Sequence, residues 1–95
     1  MHALLVSVKI DPAHSDAALE RLRSQIVPTV KQTPGLVAGY WLAPASIGGD
    51  LVGYSTVVFD SEENARKAHE MAKSSDPGAG VQFTHFEIRE VVAHT

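Results

Sequence analysis

Only two amphipathic helical segments interrupt four runs of strand-forming residues in this sequence. The four runs are rich in Val, Ile, Tyr, Trp and Thr, which are enriched in β-strands. They cover His2–Ile10, Leu36–Ala43, Leu51–Phe59 and Val81 to about Val92. The helical segments follow the first and third runs, so the predicted order is β-α-β-β-α-β.

The first helical segment is predicted from an apolar stripe that recurs every three or four residues: Leu19, Leu22, Ile26 and Val30. Ser15 or Asp16 is expected to cap its start, and Pro34-Gly35 is expected to end it. Pro28 lies within the stripe and lacks the N–H that would bond the Ser24 carbonyl. This predicts a kink or a broken last turn at Pro28.

The second helical segment is predicted to begin at a carboxylate capping box formed by Asp60 and Glu63. Its apolar stripe consists of Ala65, Ala68 and Ala72, and Ser74–Gly78 is expected to end it. Between the second and third strands, the Gly-containing segment Pro44–Asp50 predicts a hairpin loop that pairs those strands antiparallel.

The β-α-β-β-α-β order is the ferredoxin-like α+β arrangement, a four-stranded antiparallel sheet with two helices on one face. A chain of 95 residues is expected to form one domain, residues 1–95. The second face of the first and last strands still carries apolar side chains, and two helices cannot cover both faces. A second copy of the chain is therefore predicted to cover that face, giving a homodimer with its sheets packed together.

Charge and cysteine content exclude several classes of function. Eight Lys and Arg against eleven Asp and Glu give a net charge of −3, so no basic field would attract nucleic acid or an anionic membrane. With no cysteine, disulfides and Cys-ligated metals are excluded, and a reducing compartment is favoured. The N-terminal apolar run Ala3–Val8 is too short to span a membrane. We expect a cytoplasmic protein without nucleic-acid or membrane partners.

Three segments resemble the dimeric α+β barrel superfamily, and within it the small antibiotic-biosynthesis-monooxygenase-like proteins. They are the turn and strand Thr33–Trp41, the helix entry Val58–Ala65 and the terminal strand around Phe86–Ile88. The resemblance extends from Val6 to Val92. It implies a homodimer of ferredoxin-like protomers. Members with known activity include cofactor-independent quinone-forming monooxygenases, haem-degrading enzymes and isomerases of ring-cleavage products.

The resemblance to the haem-degrading members is incomplete. Those members have an Asn in the first strand, a Trp on the second helix and a haem-ligating His near that helix. The corresponding residues here are Ser7 and Ala68, and His69 is only approximately placed. The resemblance therefore argues against haem degradation, and no cofactor is predicted.

Histidine is the most chemically versatile residue type here, and His85 and His69 are the candidate catalytic residues. None of the five histidines occurs in an HxH, HxxxH or HExxH pattern, so no metal site is predicted. His85 is predicted to share a strand face with Phe83 and Glu87, whose carboxylate could orient it as a general base. The alternative is a structural polar pair. His69 flanks the alanine stripe, where it either borders a cavity or is a half-buried helix-edge residue.

Candidate ligand-binding residues come from several strands. Tyr40 and Trp41 are adjacent on one strand and must face opposite ways, but the sequence leaves open which of them faces a cavity. The other candidates are polar side chains that a ligand pocket could use: Ser7, Tyr54, Thr56 and Glu87. The alternative is that the aromatic rings lie at the dimer interface.

Two functions are compatible with these features. The first is a cofactor-independent, monooxygenase-like enzyme acting on a small hydrophobic or aromatic substrate, which would need from the protein only a base and a dry pocket. The second is a non-catalytic homodimer that binds a small ligand or serves in assembly. Ligand-induced stabilisation without product formation would distinguish the second from the first.

Overall fold

The computed structural model describes residues 1–95 and contains five strands and two helical regions. The strands are β1 (His2–Ile10), β2 (Leu36–Trp41), β3 (Ala45–Ile47), β4 (Asp50–Phe59) and β5 (Val81–Glu90). The first helical region consists of a 3-10 turn (Pro12–His14), α1 (Ser15–Arg21), a π-helical turn (Leu22–Ile26) and α2 (Val27–Val30). The second is α3 (Glu62–Lys73). No helix is both long and apolar enough to cross a membrane.

The strands form one antiparallel sheet in the order β2-β4-β1-β5, with β3 paired to β4. The predicted α+β, ferredoxin-like arrangement is confirmed, but the sheet has five strands rather than four. The extra strand, β3, lies within the segment predicted to be a loop. Gly48 and Gly49 have φ angles of 59° and 89°, so they form the tight turn that pairs Ile47 with Asp50.

The first helical region begins earlier than predicted, and its cap is Asp11 rather than Ser15 or Asp16. The Asp11 carboxylate accepts a hydrogen bond from the Ala13 N–H at 3.0 Å, which starts the 3-10 turn ahead of α1. The break predicted near Pro28 is present as the π-helical turn, in which the Val27 N–H bonds the Leu22 carbonyl. Pro28, the next residue, has no N–H to donate, and this agrees with the altered hydrogen bonding at the turn before it.

The cap of α3 is Ser61, not Asp60 as predicted. The Ser61 hydroxyl accepts a hydrogen bond from the Asn64 N–H at 3.1 Å, while Asp60 accepts one from the Asn64 side-chain amide at 2.8 Å. The Asp60 N–H in turn bonds the Gly35 carbonyl at 2.8 Å. These contacts join the start of α3 to the turn before β2.

The buried core lies between α3 and the sheet. It consists of five side chains: Leu4, Val57, Phe59, Ala65 and Ala68. The small alanines let α3 approach the strands closely. By contrast, no residue of the first helical region is buried. Leu22 and Ile26 of its apolar stripe are half-buried, and Leu19 is 39% exposed. The first helical region therefore covers its part of the sheet only loosely.

A β-bulge in β5 changes which residues share a face. Ser7 of β1 lies opposite His85 and the next residue, Val8, lies opposite Phe83, so Thr84 is the extra residue. Phe83 therefore lies on the same face as Phe86, with ring centroids 4.8 Å apart. The predicted regular alternation, which grouped Phe83 with His85, is wrong because the bulge reverses it.

Candidate functional site

The two faces of the sheet divide the predicted site residues into two groups. Residues directly opposite each other on paired strands share a face. Leu4 and Val6 of β1 face the helices, because Leu4 packs with the α3 alanines. Trp41 is on this helix-facing side. His69 of α3 packs against the same side, where its ring contacts Phe86. The other six lie on the open face, which no helix covers: Ser7, Tyr40, Tyr54, Thr56, His85 and Glu87.

The open face carries exposed aromatic and apolar side chains along β4 and the edge strand β2. Tyr40 pairs with Thr56, and Tyr54 pairs with Ser7. Tyr40 is 64% exposed, Tyr54 49% and Leu42 60%. Tyr40 therefore faces away from the helices, and Trp41 faces them.

His85 belongs to a line of polar groups along β5 on this open face. Its Nε2 lies 3.5 Å from Oε1 of Glu87, whose Oε2 accepts a hydrogen bond from Nε of Arg89 at 2.8 Å. The Arg89 hydrogen bond lowers the pKa of Glu87, and desolvation of the carboxylate opposes that shift in part. The His85 side chain is 62% exposed, so in the single chain this is a solvated polar pair.

The hydroxyl of Ser7 is engaged at the β5 bulge. Ser7 Oγ and Thr84 Oγ1 lie 2.8 Å apart, which is an ordinary hydroxyl hydrogen-bond distance. This bond connects β1 to the bulged residue of β5. Ser7 is therefore part of a contact between neighbouring strands.

On the helix-facing side, one transverse row of half-buried side chains crosses four strands. The pairings Trp41 with Ser55, Ser55 with Val6, and Val6 with Phe86 place these four residues side by side. His69 lies against the end of the row, since its ring centroid is 5.0 Å from that of Phe86. We call these five residues the interior row.

Ser55 is the member of the interior row that the sequence reasoning missed. It shares one face of its strand with the apolar residues Leu51, Val57 and Phe59. A single polar residue on that face is the sequence feature that could have identified it. None of the side-chain hydrogen bonds in the structure involves its hydroxyl. The hydroxyl is thus a free donor on an apolar surface.

Two glycines lie close to Ser55 on the helix-facing side. A Cβ on Gly39 would lie 2.9 Å from two ring atoms of Trp41, so the indole leans over Gly39. A Cβ on Gly53 would lie 3.2 Å from Val8 and 3.6 Å from Ile10, so these two side chains fill the space over Gly53. The interior row therefore has an aromatic ring at each end and the Ser55 hydroxyl between Trp41 and Val6.

A separate opening of about 480 Å³ lies at the end of the sheet where β1 leaves it. Its wall includes Lys9 and Asp50, which form an ion pair at 3.3 Å, and the glycines Gly49 and Gly80. None of the predicted catalytic or ligand-binding residues lines this opening. No cluster of three or more His, Asp or Glu side chains is arranged to hold a metal ion.

Comparison with known proteins identifies the fold. No protein-family model matches the sequence, and none of the curated proteins matches it. The chain is similar to the solved structure of a dimeric ferredoxin-like protein from an uncultured marine organism. The TM-score is 0.68 with 14% sequence identity, covering 100% of this chain and 98% of that chain. The chain has the ferredoxin-like fold.

Two other solved structures to which the chain is similar have described activities. One is the ActVA-Orf6 monooxygenase of Streptomyces coelicolor with the ligand nanaomycin D, at a TM-score of 0.56 and 12% identity, covering 99% of this chain and 91% of that chain. The other is the heme-degrader MhuD of Mycobacterium tuberculosis with two hemes in its active site, at a TM-score of 0.63, 15% identity and 98% coverage of both chains. The resemblance to dimeric α+β barrel proteins is therefore confirmed at the level of the fold.

Proposed function

We propose that this protein is a cofactor-independent, monooxygenase-like enzyme whose small aromatic substrate binds over the interior row. The observation that carries this proposal is the stacking of His69 on Phe86 at one end of a half-covered apolar surface. The ferredoxin-like fold supports it, since one protein of similar structure is described as a monooxygenase. The loosely packed first helical region would form the opposite wall of the site.

The chemistry that such a site can support depends on the substrate. A CH₂ group next to aromatic rings and conjugated with a ketone loses a proton to a base, and the resulting carbanion transfers one electron to O₂. Recombination gives a peroxide, which loses water, so that CH₂ and O₂ become C=O and H₂O. The substrate supplies all the electrons, and the protein supplies a positioned base and an apolar surrounding.

We propose His69 as that base. It is the ionisable member of the interior row and contacts an aromatic ring that would also contact the substrate. His85, which the sequence favoured, lies on the opposite face of the sheet and pairs with Glu87. The two histidines therefore belong to different surfaces, and exchanging each one separately tests the assignment.

We further propose that the open face forms the interface of a homodimer. Tyr40, Leu42 and Tyr54 would be buried there, and large aromatic rings with a polar tip are enriched in such interfaces. The dimeric ferredoxin-like protein of similar structure supports this assembly. In this arrangement the candidates Ser7, Thr56 and Glu87 serve the interface rather than the substrate.

The experiment that tests the enzyme proposal uses anthrone, a three-ring ketone with an acidic CH₂ group. Purified protein is mixed with anthrone in air-saturated buffer, oxygen consumption is recorded, and products are identified by mass spectrometry. We expect one O₂ consumed per anthrone and anthraquinone as the product, above the rate without protein. Bound anthrone recovered unchanged would instead indicate a non-catalytic binding protein.

A further inference from the structure

Two consecutive residues of β5, Thr84 and His85, place their side chains on the open face. The residues on either side of this pair, Phe83 and Phe86, face the helices. A regular strand cannot produce this pattern, because successive side chains alternate between the two faces. The β-bulge produces it by adding Thr84 as an extra residue. Its hydroxyl lies 2.8 Å from that of Ser7, so the two strands are joined by a side-chain contact at the bulge.

Without the bulge, the first residues of β5 would pair with β1 in a different register. Continuing the regular alternation past His85 would turn Thr84 toward the helices and Phe83 toward the open face, opposite Lys9. The contact between Phe83 and Phe86, at 4.8 Å, exists only in the bulged register. The register of β5 thus decides whether Phe83 is part of the aromatic surface on the helix-facing side.

We infer that Thr84 is a positioning residue for His69, the proposed base, although the two lie on opposite faces of the sheet. The hydrogen bond between Ser7 and Thr84 holds the bulge. The bulge places Phe83 against Phe86, and Phe86 lies 5.0 Å from the imidazole of His69. This inference rests on the proposed function for the role of His69, whereas the effect of Thr84 on the three rings requires no turnover.

The chemistry of Thr84 favours the bulged register. On the open face its hydroxyl is paired with Ser7, and a hydrogen bond of this kind contributes about 1 kcal/mol. Turned toward the helices, the hydroxyl would lie opposite Val8, whose apolar side chain offers it no partner. Phe83 has the reverse preference, since it is half-buried on the helix-facing side and would lie on the open face opposite Lys9. Both residues therefore specify the same register.

The three rings are packed so that a change at Phe83 reaches His69. Phe86 contacts both of them, with its plane tilted by 47° to Phe83 and by 37° to His69. All three side chains are half-buried, so each depends on its neighbours for its orientation. If Phe83 leaves, the ring of Phe86 loses the contacts on one side and is free to turn against the imidazole. Loss of the bulge therefore loosens the contact of His69 without changing a residue that touches it.

The test follows the rings by NMR in wild type, Thr84→Val, Ser7→Ala and Thr84→Ser. The first two variants each remove one hydroxyl of the pair, and Thr84→Ser keeps both. We expect both removals to weaken the nuclear Overhauser effect (NOE) between the rings of Phe83 and Phe86. We also expect them to shift the imidazole resonances of His69, which are assigned from the spectrum of His69→Gln. Thr84→Ser is expected to retain the wild-type NOE and resonances.

Thr56→Val is the matched control, because it is the same substitution on the open face but lies on β4, away from the bulge. It is expected to change neither the NOE nor the resonances. The kinetic consequence is measured with anthrone. We expect Thr84→Val to lower kcat about tenfold with KM unchanged, since a displaced base affects the reaction step more than binding. Thr84→Ser is expected to restore kcat.

The other outcomes also have a defined meaning. A lower free energy of unfolding with the NOE and the His69 resonances unchanged would overturn the inference, because the hydrogen bond would then only stabilise the strand pair. Rings that move without a change in kcat, or changes that Thr56→Val reproduces, would also overturn it. If wild type does not oxidise anthrone, the proposed function fails, and the NMR spectra still decide whether Thr84 places the three rings.

Discussion

The imidazole of His69 lies against the ring of Phe86, with centroids 5.0 Å apart and planes tilted by 37°. His69 belongs to α3 and Phe86 to β5, so the contact joins the closely packed helix to the edge of the sheet. Phe83 continues the aromatic surface at 4.8 Å from Phe86, because the bulge at Thr84 returns it to the same face. The imidazole and the two phenyl rings therefore form one continuous aromatic surface.

Replacing His69 tests its role as the base. His69→Gln is expected to lower the kcat for anthrone oxidation by about 100- to 10,000-fold, the usual contribution of a positioned general base. His85→Gln is the matched control, and we expect it to retain at least half of the wild-type rate. Rates are measured with an oxygen electrode on variants whose circular dichroism matches wild type. If only His85→Gln lost the oxidation rate, the base would be His85 on the open face, and the assignment of His69 would be wrong.

Introducing a charge on the open face tests the dimer. Tyr54→Glu places a carboxylate at the centre of the proposed interface, and burying an unpaired charge there is unfavourable. We expect a dimer for wild type and a monomer for this variant at about 10 μM, measured by sedimentation velocity. Met71→Glu is the control, because Met71 is 54% exposed on α3 and lies outside the interface. A monomeric wild type would contradict the proposed assembly.

The sequence predicts the fold well but not the site. Strand and helix order follow from local periodicity, and β1 spans the predicted residues, His2–Ile10. The site depends on features that alternation does not reveal. The bulge at Thr84 moves Phe83 to the other face, and the pairing of β2 with β4 places Trp41 beside Ser55. Both result from contacts between strands.

Two glycines allow the cost of backbone strain to stability to be measured separately from the cost of a steric clash. Gly35 and Gly48 both have positive φ, 77° and 59°. A Cβ at Gly35 would collide with the side chains of Asp60 and Asn64, whereas nothing lies within 4 Å of a Cβ at Gly48. We expect Gly48→Ala to lower the free energy of unfolding by about 1 kcal/mol and Gly35→Ala by at least about 2 kcal/mol. Urea denaturation measures both, and equal losses would contradict the proposed contact.

The lowered pKa values of two glutamates predict how stability falls in acid. The hydrogen bond from Arg66 lowers the pKa of Glu62, and that from Arg89 lowers the pKa of Glu87. A folded-state pKa below the unfolded value of about 4.3 stabilises the protein above that pH, and this contribution is lost as the pH falls through the folded pKa. Glu62→Gln and Glu87→Gln should each flatten the decline of unfolding free energy between about pH 5 and pH 3.

Both carboxylates are exposed, so the expected change in the free energy of unfolding is small. It is measured as the slope of the unfolding free energy against pH, not as the value at one pH. Glu20→Gln serves as the control, since the structure pairs Glu20 with no cationic side chain. Slopes for Glu62→Gln and Glu87→Gln equal to that of the control would contradict the proposed effect of the two arginines.

In the proposed arrangement, the substrate lies on the helix-facing side of the sheet and a second protomer covers the other side. A crystal structure with acridone, a flat three-ring ketone that has no CH₂ group to oxidise, tests this assignment most directly. The predicted result places its rings over Val6 against Phe86, with the first helical region on the far side. Acridone bound beside Tyr40 and Tyr54 on the open face would contradict it.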